Sequence, residues 1–249
     1  MAYREFTIKK KNGRHRRICA PDAASLAYQR SILPNLSSIF LTKERQEFGR
    51  EVFHGFVKNR NCVTAARGHV GYAHTISLDI SECFDSIHYD TLDVAITNEV
   101  VKDLVTHKDG SIAQGFATSP MLSNLYLIKP VSELIEIVDS AFSNHHVTVY
   151  ADDIQISVGE STYDELNFVI EMAVTLFKQY GLRINPRKTR IHHAKFGNRR
   201  ILGIQVGNDG IHPNRRLKKK IRAARHQGNG PSLGGLVTAS RLLLPKALR

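Results

Sequence analysis

Residues 147–158 read VTVYADDIQISV, in which apolar and polar side chains alternate on both sides of a short break. Alternation with a period of two is typical of β-strands, whose side chains point to opposite faces of a sheet. The pattern therefore predicts a β-hairpin with Ala151 and Asp152 at its turn. Such a hairpin holds two adjacent carboxylates, Asp152 and Asp153, at its tip.

A third carboxylate lies near the end of an earlier predicted strand. The run Thr75–Ile80 is rich in β-formers and contains Asp79. If the two elements are neighbours in one sheet, the three acids converge, and carboxylates so close together are expected to coexist only around cations. Hard divalent cations such as Mg²⁺ prefer carboxylate oxygens, and a pair of them supports in-line phosphoryl transfer. Adjacent acids at a turn are also common because Asp forms local hydrogen bonds there, so Asp152 and Asp153 alone leave both interpretations open.

The composition favours a folded protein with a polyanionic partner. The chain has 249 residues, 42% of them hydrophobic, and 35 Lys and Arg against 23 Asp and Glu give a net charge of +12. Such a length suits one large domain, or two to three subdomains that share a core. The excess of cations points to a polyanion.

The cysteines and the hydropathy pattern favour a cytoplasmic protein. Cys19, Cys62 and Cys83 are too few and too far apart for a disulfide framework or a zinc cluster. The N-terminus lacks a secretory apolar region, and no window is apolar for long enough to span a membrane. We therefore expect neither export nor membrane insertion.

The remaining patterns predict an α+β fold. A basic hairpin turns at Lys9–Gly13, and the helical spacing that follows is kinked or split by Pro34. From residue 75 to 191 the order is strand, helix, helix, hairpin, helix, strand, which is the split βαβ of a ferredoxin-like sheet. Two short strands are predicted around a basic turn after residue 189. The predicted helices are 23–40, 89–105, 119–138, 163–180 and the cationic 217–225.

Several histidines could suggest a metal site of another kind. His54, His69, His74, His192 and His193 match no zinc signature in their spacing, and the cysteines lie elsewhere. The histidines therefore predict no zinc site.

Five motifs, taken together, resemble those of one enzyme family. Tyr150–Asp153 forms the YADD version of a YxDD box, and its companions occur in a fixed order along the chain. The companions are Asp79–Asp85 (DISECFD), Gln114–Pro120 (QGFATSP), Gly181–Thr189 (GLRINPRKT) and Ile201–Gly203 (ILG). Over residues 5–225 the chain resembles reverse transcriptases, particularly the bacterial retron and group II intron branch. Ala65–His69 is similar to the NAxxH segment of retron-type enzymes, with Ala65 in place of the family's Asn.

The resemblance implies a right-hand polymerase with a fingers subdomain, a ferredoxin-like palm and an abbreviated thumb. The implied bounds are 1–72 for the fingers, with 106–118 contributing, 73–105 and 119–205 for the palm, and 206–249 for a basic connection and truncated thumb. Because only 24 residues follow Arg225, the chain is expected to be a fragment, a natural minimal form, or one half of an assembly. These three alternatives stay open.

The implied activity is that of a nucleotidyltransferase, an RNA-directed DNA polymerase in which a primer 3′-hydroxyl attacks the α-phosphate of a dNTP. Asp79 and Asp152 would bind two Mg²⁺ ions, for which Mn²⁺ could substitute, and Asp153 would support the site. The Ile80 carbonyl would add a ligand. Lys188 would lie near the pyrophosphate and could act as a proton donor.

Further residues of the resembling motifs have implied roles in binding. Lys11 and Arg17 would bind the triphosphate, although a charged hairpin tip is also common as a solvated turn. Phe84 would exclude a 2′-hydroxyl, which implies dNTP use. The remaining contacts would be Gln114 and Gly115 with the nucleotide and templating base, and Leu202 and Gly203 with the primer.

The C-terminal part of the chain is strongly basic. Residues 183–225 contain 14 lysines and arginines against one acid, Asp209. A charge run is usually a solvated face. This one surrounds and follows the implied primer contacts Leu202 and Gly203, called the primer grip, where the duplex of template and primer would leave. The cations expected to bind nucleic acid are Arg199, Arg200, Arg215, Arg216, Lys218, Lys219, Lys220 and Arg222.

The implied partners are an RNA template or non-coding RNA, a DNA or RNA primer, dNTPs, and a protein that supplies a thumb or an effector function. A bacterial retron or a phage-defence element would be the setting. Two other functions stay open. One is a defence-associated polymerase that needs no template or primes from its own protein, and the other is a catalytically silent RNA-binding scaffold, which the presence of all three acids disfavours.

Overall fold

The computed structural model describes residues 3–9, 13, 15–98, 100–197 and 199–227. The chain forms two compact units whose segments alternate along the sequence. Unit 1 comprises Met1–Val52, Ile80–Ile137 and Glu171–Asn185, and unit 2 comprises Phe53–Asp79, Val138–Ile170 and Pro186–Arg249. Lys11 and residues 228–249, half of the segment expected to form the basic connection and thumb, lie outside the described residues. The bounds of fingers, palm and thumb stay a prediction.

The described residues contain ten β-strands and eight α-helices. The strands are β1 (Tyr3–Lys9), β2 (His15–Pro21), β3 (His74–Ser81), β4 (His145–Tyr150), β5 (Asp153–Val158), β6 (Arg183–Ile184), β7 (Arg190–His193), β8 (Arg199–Ile201), β9 (Ile204–Val206) and β10 (Ile211–His212). The α-helices are α1 (Ala23–Phe48), α2 (Cys62–Arg67), α3 (Cys83–Ser86), α4 (Val94–Thr97), α5 (Lys102–Val105), α6 (Ser119–Ala141), α7 (Tyr163–Gln179) and α8 (Arg215–His226). Within these ranges no helix combines the length and apolarity needed to cross a bilayer.

Unit 1 begins with the predicted basic hairpin, β1 paired antiparallel with β2, and continues into α1. Asp22 caps this helix by accepting a hydrogen bond from the Ser25 backbone N–H at 2.8 Å, which satisfies a donor that has no partner within the helix. Gly49 ends it with φ at 62°, a conformation that glycine adopts without strain. Pro34 lies inside α1 but does not split it.

The prediction of one helix over residues 89–105 is wrong. The segment forms a short 3₁₀ turn at Tyr89–Thr91 and two single-turn helices, α4 and α5. Seven of its 17 residues are β-branched, and such residues lose side-chain freedom in a helix. The Tyr89 hydroxyl donates to the carbonyls of Thr97 and Val100 at 3.0 and 3.3 Å, so the segment folds back on itself.

Unit 2 is built on an antiparallel sheet in which β4, β5, β3 and β7 are successive neighbours. The hairpin predicted over 147–158 is confirmed as β4 and β5. The apolar positions Val147, Val149, Ile154 and Ile156 are fully buried, as the alternation predicts. After residue 189 the structure has four short strands, β7 to β10, rather than two.

The polar face of this sheet is buried as well, over a hydrogen-bonded network. The His69 ring bonds to the hydroxyls of Ser157 and Thr148 through Nδ1 and Nε2, each at 2.8 Å. Arg199 donates to the Thr75 hydroxyl at 3.2 Å and to the His69 carbonyl at 2.8 Å. Arg199 is only 1% exposed, and burial lowers its pKa. The expectation that Arg199 contacts nucleic acid is therefore corrected, because its guanidinium is directed into the interior.

Two buried histidines of unit 2 make the fold sensitive to acid. Burial, aided by the charge of Arg60, lowers the pKa of His54 to about 4, and burial lowers the pKa of His69 far below its usual value. In the unfolded chain both titrate near about 6.5, so the unfolded state binds more protons below that pH. We expect each histidine to reduce the free energy of unfolding by about 1.4 kcal/mol per pH unit as the pH falls from about 6 towards 4.

Urea unfolding at pH 4.5, 5.5 and 6.5 measures this slope. Replacing His54 with Gln keeps a polar group beside the Thr64 hydroxyl, which His54 Nδ1 contacts at 2.8 Å, and should remove one histidine's share of the slope. An unchanged pH slope in His54→Gln would contradict the assignment.

Candidate active site

The YADD residues close the β4–β5 hairpin. Tyr150 and Asp153 are directly opposite each other, which leaves Ala151 and Asp152 as a two-residue turn. Ala151 has φ at 57°, the pattern of the first turn position in type II′ hairpins, where glycine is usual. For a residue with a side chain this conformation costs on the order of 1–2 kcal/mol, so neighbouring contacts must hold the turn.

The loop 53–56 supplies those contacts. Phe53 forms a parallel bridge with Val149 of β4. Gly55 then passes so close to the turn that a Cβ atom on it would lie 2.5 Å from the backbone nitrogen of Ala151. Only glycine fits at that distance, and the loop backbone therefore buttresses the turn that carries the acids.

The third carboxylate is brought to the same place by β3. Asp79 is directly opposite Asp153 in the β3–β5 pairing, and side chains of such a pair share a face of the sheet with Cβ atoms about 5 Å apart. Asp79 is 5% exposed. Burial, together with the charges of Asp152 and Asp79, raises the pKa of Asp153 to about 6. The fold thus holds like charges close together, a strain that a divalent cation would relieve.

Lys188 provides a counter-charge to this group. Its Nζ lies 2.6 Å from Oδ2 of Asp79, and this hydrogen bond, with the attraction of the other two carboxylates, raises the pKa of Lys188. The ammonium therefore stays charged, while its side chain is 61% exposed. All four residues with predicted catalytic roles lie together in unit 2.

The nucleotide contacts predicted in unit 1 include a charged cluster. Arg17 donates to Asp109 at 3.1 Å and to Asp85 at 3.4 Å, and Gln114 donates to Asp85 at 3.2 Å. Burial would raise the pKa of Asp109, but hydrogen bonds from Ser111 and Arg17 hold it well below its usual value. The Arg17 guanidinium is thus paired with carboxylates, and a triphosphate would have to take their place.

The QG motif packs closely on β2, which explains why residue 115 is a glycine. Its φ is 108°, and a Cβ atom on it would lie 2.4 Å from the Cys19 carbonyl oxygen. Phe84 lies in α3 and is partly buried, while Ile80 is buried and pairs with Ile184 of β6. The ligand-binding roles of these residues stay predictions.

The ILG motif forms the turn between β8 and β9. Ile201 pairs with Ile204, and the two turn residues, Leu202 and Gly203, have φ at 49° and 82°. Positive φ at both positions is the pattern of a type I′ hairpin. The side-chain amide of Asn214 donates to the Gly203 carbonyl and so anchors the turn, whose role as a primer grip stays a prediction.

The basic residues of the C-terminal part are exposed, apart from Arg199. On α8 the small residue Ala224 is buried. The exposed cations among those predicted to bind nucleic acid are Arg200, Arg215, Arg216, Lys218, Lys219, Lys220 and Arg222. Their contact with nucleic acid stays a prediction.

The sequence motifs did not identify Gly55 and Phe56 as residues of the candidate site. Phe56 is 50% exposed and has φ at 62°, which is rare for an aromatic residue and occurs mostly where a site constrains the backbone. The sequence signal was a glycine beside an aromatic in a polar loop. Its meaning depends on the Ala151 turn, which is distant in sequence.

The chain matches a known protein family over most of its length. The family model described as reverse transcriptase (RNA-dependent DNA polymerase) matches residues 8–206. The chain belongs to the reverse transcriptase family. The matched range contains all three carboxylates, Lys188 and the QG and ILG motifs, and the predicted family is confirmed.

Curated relatives of this reverse transcriptase-family chain include retron proteins. It is 26% identical to the retron Mx65 reverse transcriptase of Myxococcus xanthus, covering 98% of this chain and 62% of that protein. It is 29% identical to the retron Ec48 reverse transcriptase of Escherichia coli, covering 71% of this chain and 44% of that protein. The chain thus spans roughly half the length of these two relatives.

Solved structures with a similar fold include telomerases. A Candida tropicalis telomerase in complex with a fragment of telomeric RNA matches 96% of this chain and 52% of its own, with a TM-score of 0.61 and 14% identity. The truncated apo form from the same organism has a TM-score of 0.58 at 15% identity, over 85% of this chain and 55% of its own. This likeness confirms the predicted α+β fold of the right-hand polymerase type.

Proposed function

We propose that this chain is an RNA-directed DNA polymerase that adds dNTPs to a primer 3′-hydroxyl. The observation that carries the proposal is the pairing of Asp79 with Asp153 across two strands, with Asp152 at the adjoining turn. Like charges directly opposite in a sheet destabilise it. Burial and its acidic neighbours raise the pKa of Asp153, and acids with a raised pKa cluster at functional sites.

The carboxylates fit divalent cations, and we assign two Mg²⁺ ions, with Mn²⁺ as a substitute. Carboxylate oxygen is the ligand that Mg²⁺ prefers. The raised pKa of Asp153 reflects its burial and the neighbouring negative charges, which cations would offset. Asp79 and Asp152 would hold both ions, beside Asp153 and the Ile80 carbonyl. When bound, the ions supply activation of the attacking hydroxyl and stabilisation of the leaving pyrophosphate.

Lys188 has a role of its own in this proposal. Its contact with Asp79 offsets one negative charge before cations bind. Because its pKa is raised, its Nζ retains a proton at neutral pH, and that proton is available for the pyrophosphate once the contact with Asp79 opens.

The unit 1 residues would bind and select the nucleotide. The planar fork of Arg17 suits phosphate oxygens, and Lys11, outside the described residues, would act with it. Gln114 and Gly115 would contact the nucleotide, and the Phe84 ring would exclude a 2′-hydroxyl.

The nucleic-acid partners are proposed from the charge of unit 2 and the retron relatives. The exposed cations of α8 would follow the backbone of an RNA-containing duplex by its shape, with an affinity that falls steeply with salt. Leu202 and Gly203 would support the primer. A dedicated structured RNA in a bacterial retron or defence element, a cytoplasmic setting and a protein partner complete the proposal.

Primer extension tests the proposal. The purified chain is incubated with a labelled DNA primer on an RNA template, with Mg²⁺ and dNTPs, and the products are sequenced. We expect extension that copies the RNA to its end and that stops when the metal is chelated. Extension without RNA, or label attached to the protein, would favour the template-independent or protein-primed alternative, and no synthesis under any condition would contradict polymerase activity.

A further inference from the structure

A second group of metal-binding side chains lies at the other end of β3 from Asp79. His74 and His193 are directly opposite in the β3–β7 pairing, with ring centroids 4.2 Å apart. Glu160 follows β5, whose last residue, Val158, also pairs with His74. One potential ligand atom from each of His74, Glu160 and His193 lies within 4.8 Å of the others.

The tautomer of the His74 ring suits a metal ligand. Its Nδ1 lies 3.2 Å from the Gly159 carbonyl oxygen, which can only accept a hydrogen bond, so Nδ1 carries the proton and Nε2 keeps its lone pair. Metal-bound histidines commonly donate their other ring N–H to a backbone carbonyl in this way. Because His74 is 2% exposed, its surroundings restrict the ring.

Metal binding by His193 requires the ring proton to move from Nε2 to Nδ1. Its Nδ1 accepts a hydrogen bond from the Lys195 backbone N–H at 2.8 Å, so Nε2 carries the ring proton and faces the Glu160 carboxylate at 3.6 Å. A metal at Nε2 takes the place of that proton, which moves to Nδ1 and displaces the hydrogen bond from Lys195. The imidazole is neutral before and after.

The group is accessible from solvent. A cavity of about 430 Å³ is lined by Glu160 and His193 together with Tyr72, Lys195 and Asn208. The Glu160 side chain is 82% exposed, so it can move onto an incoming ion. The cavity leaves room for a water molecule as a fourth ligand.

We propose that His74, His193 and Glu160 bind a zinc ion. Two imidazoles and one carboxylate form a known zinc donor set. Ligand atoms about 2 Å from a tetrahedral ion lie roughly 3.3 Å from one another, so the three ligand atoms, now within 4.8 Å of one another, would have to move only slightly closer. Imidazole suits zinc, whereas carboxylate-rich sites suit Mg²⁺, so this site and the acidic one differ in preference. The ion ties β3 and β7 to the segment after β5. The ligands are far apart in sequence, which is why their spacing matches no zinc signature.

Zinc titration tests this site without reference to polymerase activity. The parent protein carries Asp152→Asn and Asp153→Asn, so that binding by the acidic group is reduced, and is stripped of metal by chelation. Calorimetric titration with ZnCl₂ should give one ion per chain, and the absorption spectrum with Co²⁺ should indicate tetrahedral coordination. Adding Glu160→Gln or His193→Asn should weaken zinc binding by at least about a hundredfold, since loss of even an outer partner costs 10–100-fold.

His192→Asn is the matched control, because His192 is the neighbouring residue of β7 and pairs with Thr75 rather than His74. It should bind zinc like the parent. Absence of zinc binding by the parent would overturn the proposal, as would parental affinity in Glu160→Gln, a change at an exposed side chain that leaves the fold intact. Equal weakening by His192→Asn would also overturn it. If His193→Asn unfolds, Glu160→Gln decides the question alone.

Discussion

Replacing Asp152 and Asp153 together with asparagine is expected to abolish Mg²⁺-dependent primer extension, with RNA binding nearly unchanged. The two residues supply much of the negative charge that would hold the ions. Charge stabilisation by catalytic metals is worth several kcal/mol, and each 1.4 kcal/mol is about tenfold in rate, so the loss should be at least about a thousandfold. The exposed cations of α8 are untouched, so we expect their proposed contact with an RNA backbone to be preserved.

The same variant should be more stable than the parent when no metal is present. The pKa of Asp153 is raised to about 6 in the folded protein, whereas in the unfolded chain it is near about 3.9. As the pH rises between these values, the unfolded state releases its proton first and stability falls. Asparagine removes this penalty, so at pH 7.5 we expect a gain of up to about 3 kcal/mol.

Extension assays, an RNA-binding titration and urea unfolding in chelator measure the three outcomes. Full extension activity in the variant would refute the assignment of the acids. Loss of activity together with loss of stability would instead indicate a structural role for the pair.

Gly55→Ala is expected to disrupt the site without touching a carboxylate. The added methyl group would lie 2.5 Å from the Ala151 backbone nitrogen, so either the loop or the turn must move. Overpacking of this kind costs about 1–3 kcal/mol, and displacement of catalytic groups by about 1 Å can reduce a rate about a hundredfold. We expect a clear loss of stability and a loss of extension activity of that order.

Gly159→Ala is the matched control in the same unit. A methyl group there meets Asn144 at 3.7 Å, an ordinary van der Waals contact. Urea unfolding and extension assays of both variants test the claim. Equal behaviour of the two variants would show that the close approach of Gly55 to the turn does not support the site.

The β4–β5 hairpin, α7 and the position of the two acids at the hairpin turn could be predicted because their signals are local. Alternation over 147–158 and the YADD motif identify the hairpin and its acids within a dozen residues. The pairing of β3 with β5 then follows from the family resemblance. Even so, the register that sets Asp79 opposite Asp153 is known only from the structure.

Arg199, Gly55 and His74 could not be interpreted from sequence, because their partners are distant. Arg199 belongs to a run of exposed cations by composition, yet its hydrogen bonds to Thr75 and to the His69 carbonyl place it in the interior. The prediction of a helix at 89–105 was wrong for a different reason. There the apolar spacing suits a helix, but the β-branched side chains and the hydrogen bonds of Tyr89 favour short turns.

The contact between Lys188 and Asp79 has a consequence for how the protein matures. Without a counter-charge, the three acids would repel one another in the folded sheet until a metal bound. The Lys188 ammonium offsets part of that repulsion before any metal binds, so we expect the sheet to form in metal-poor surroundings. If the acids bind metal as proposed, loading would exchange one cation for another on a formed sheet, and the supply of metal would control activity rather than folding.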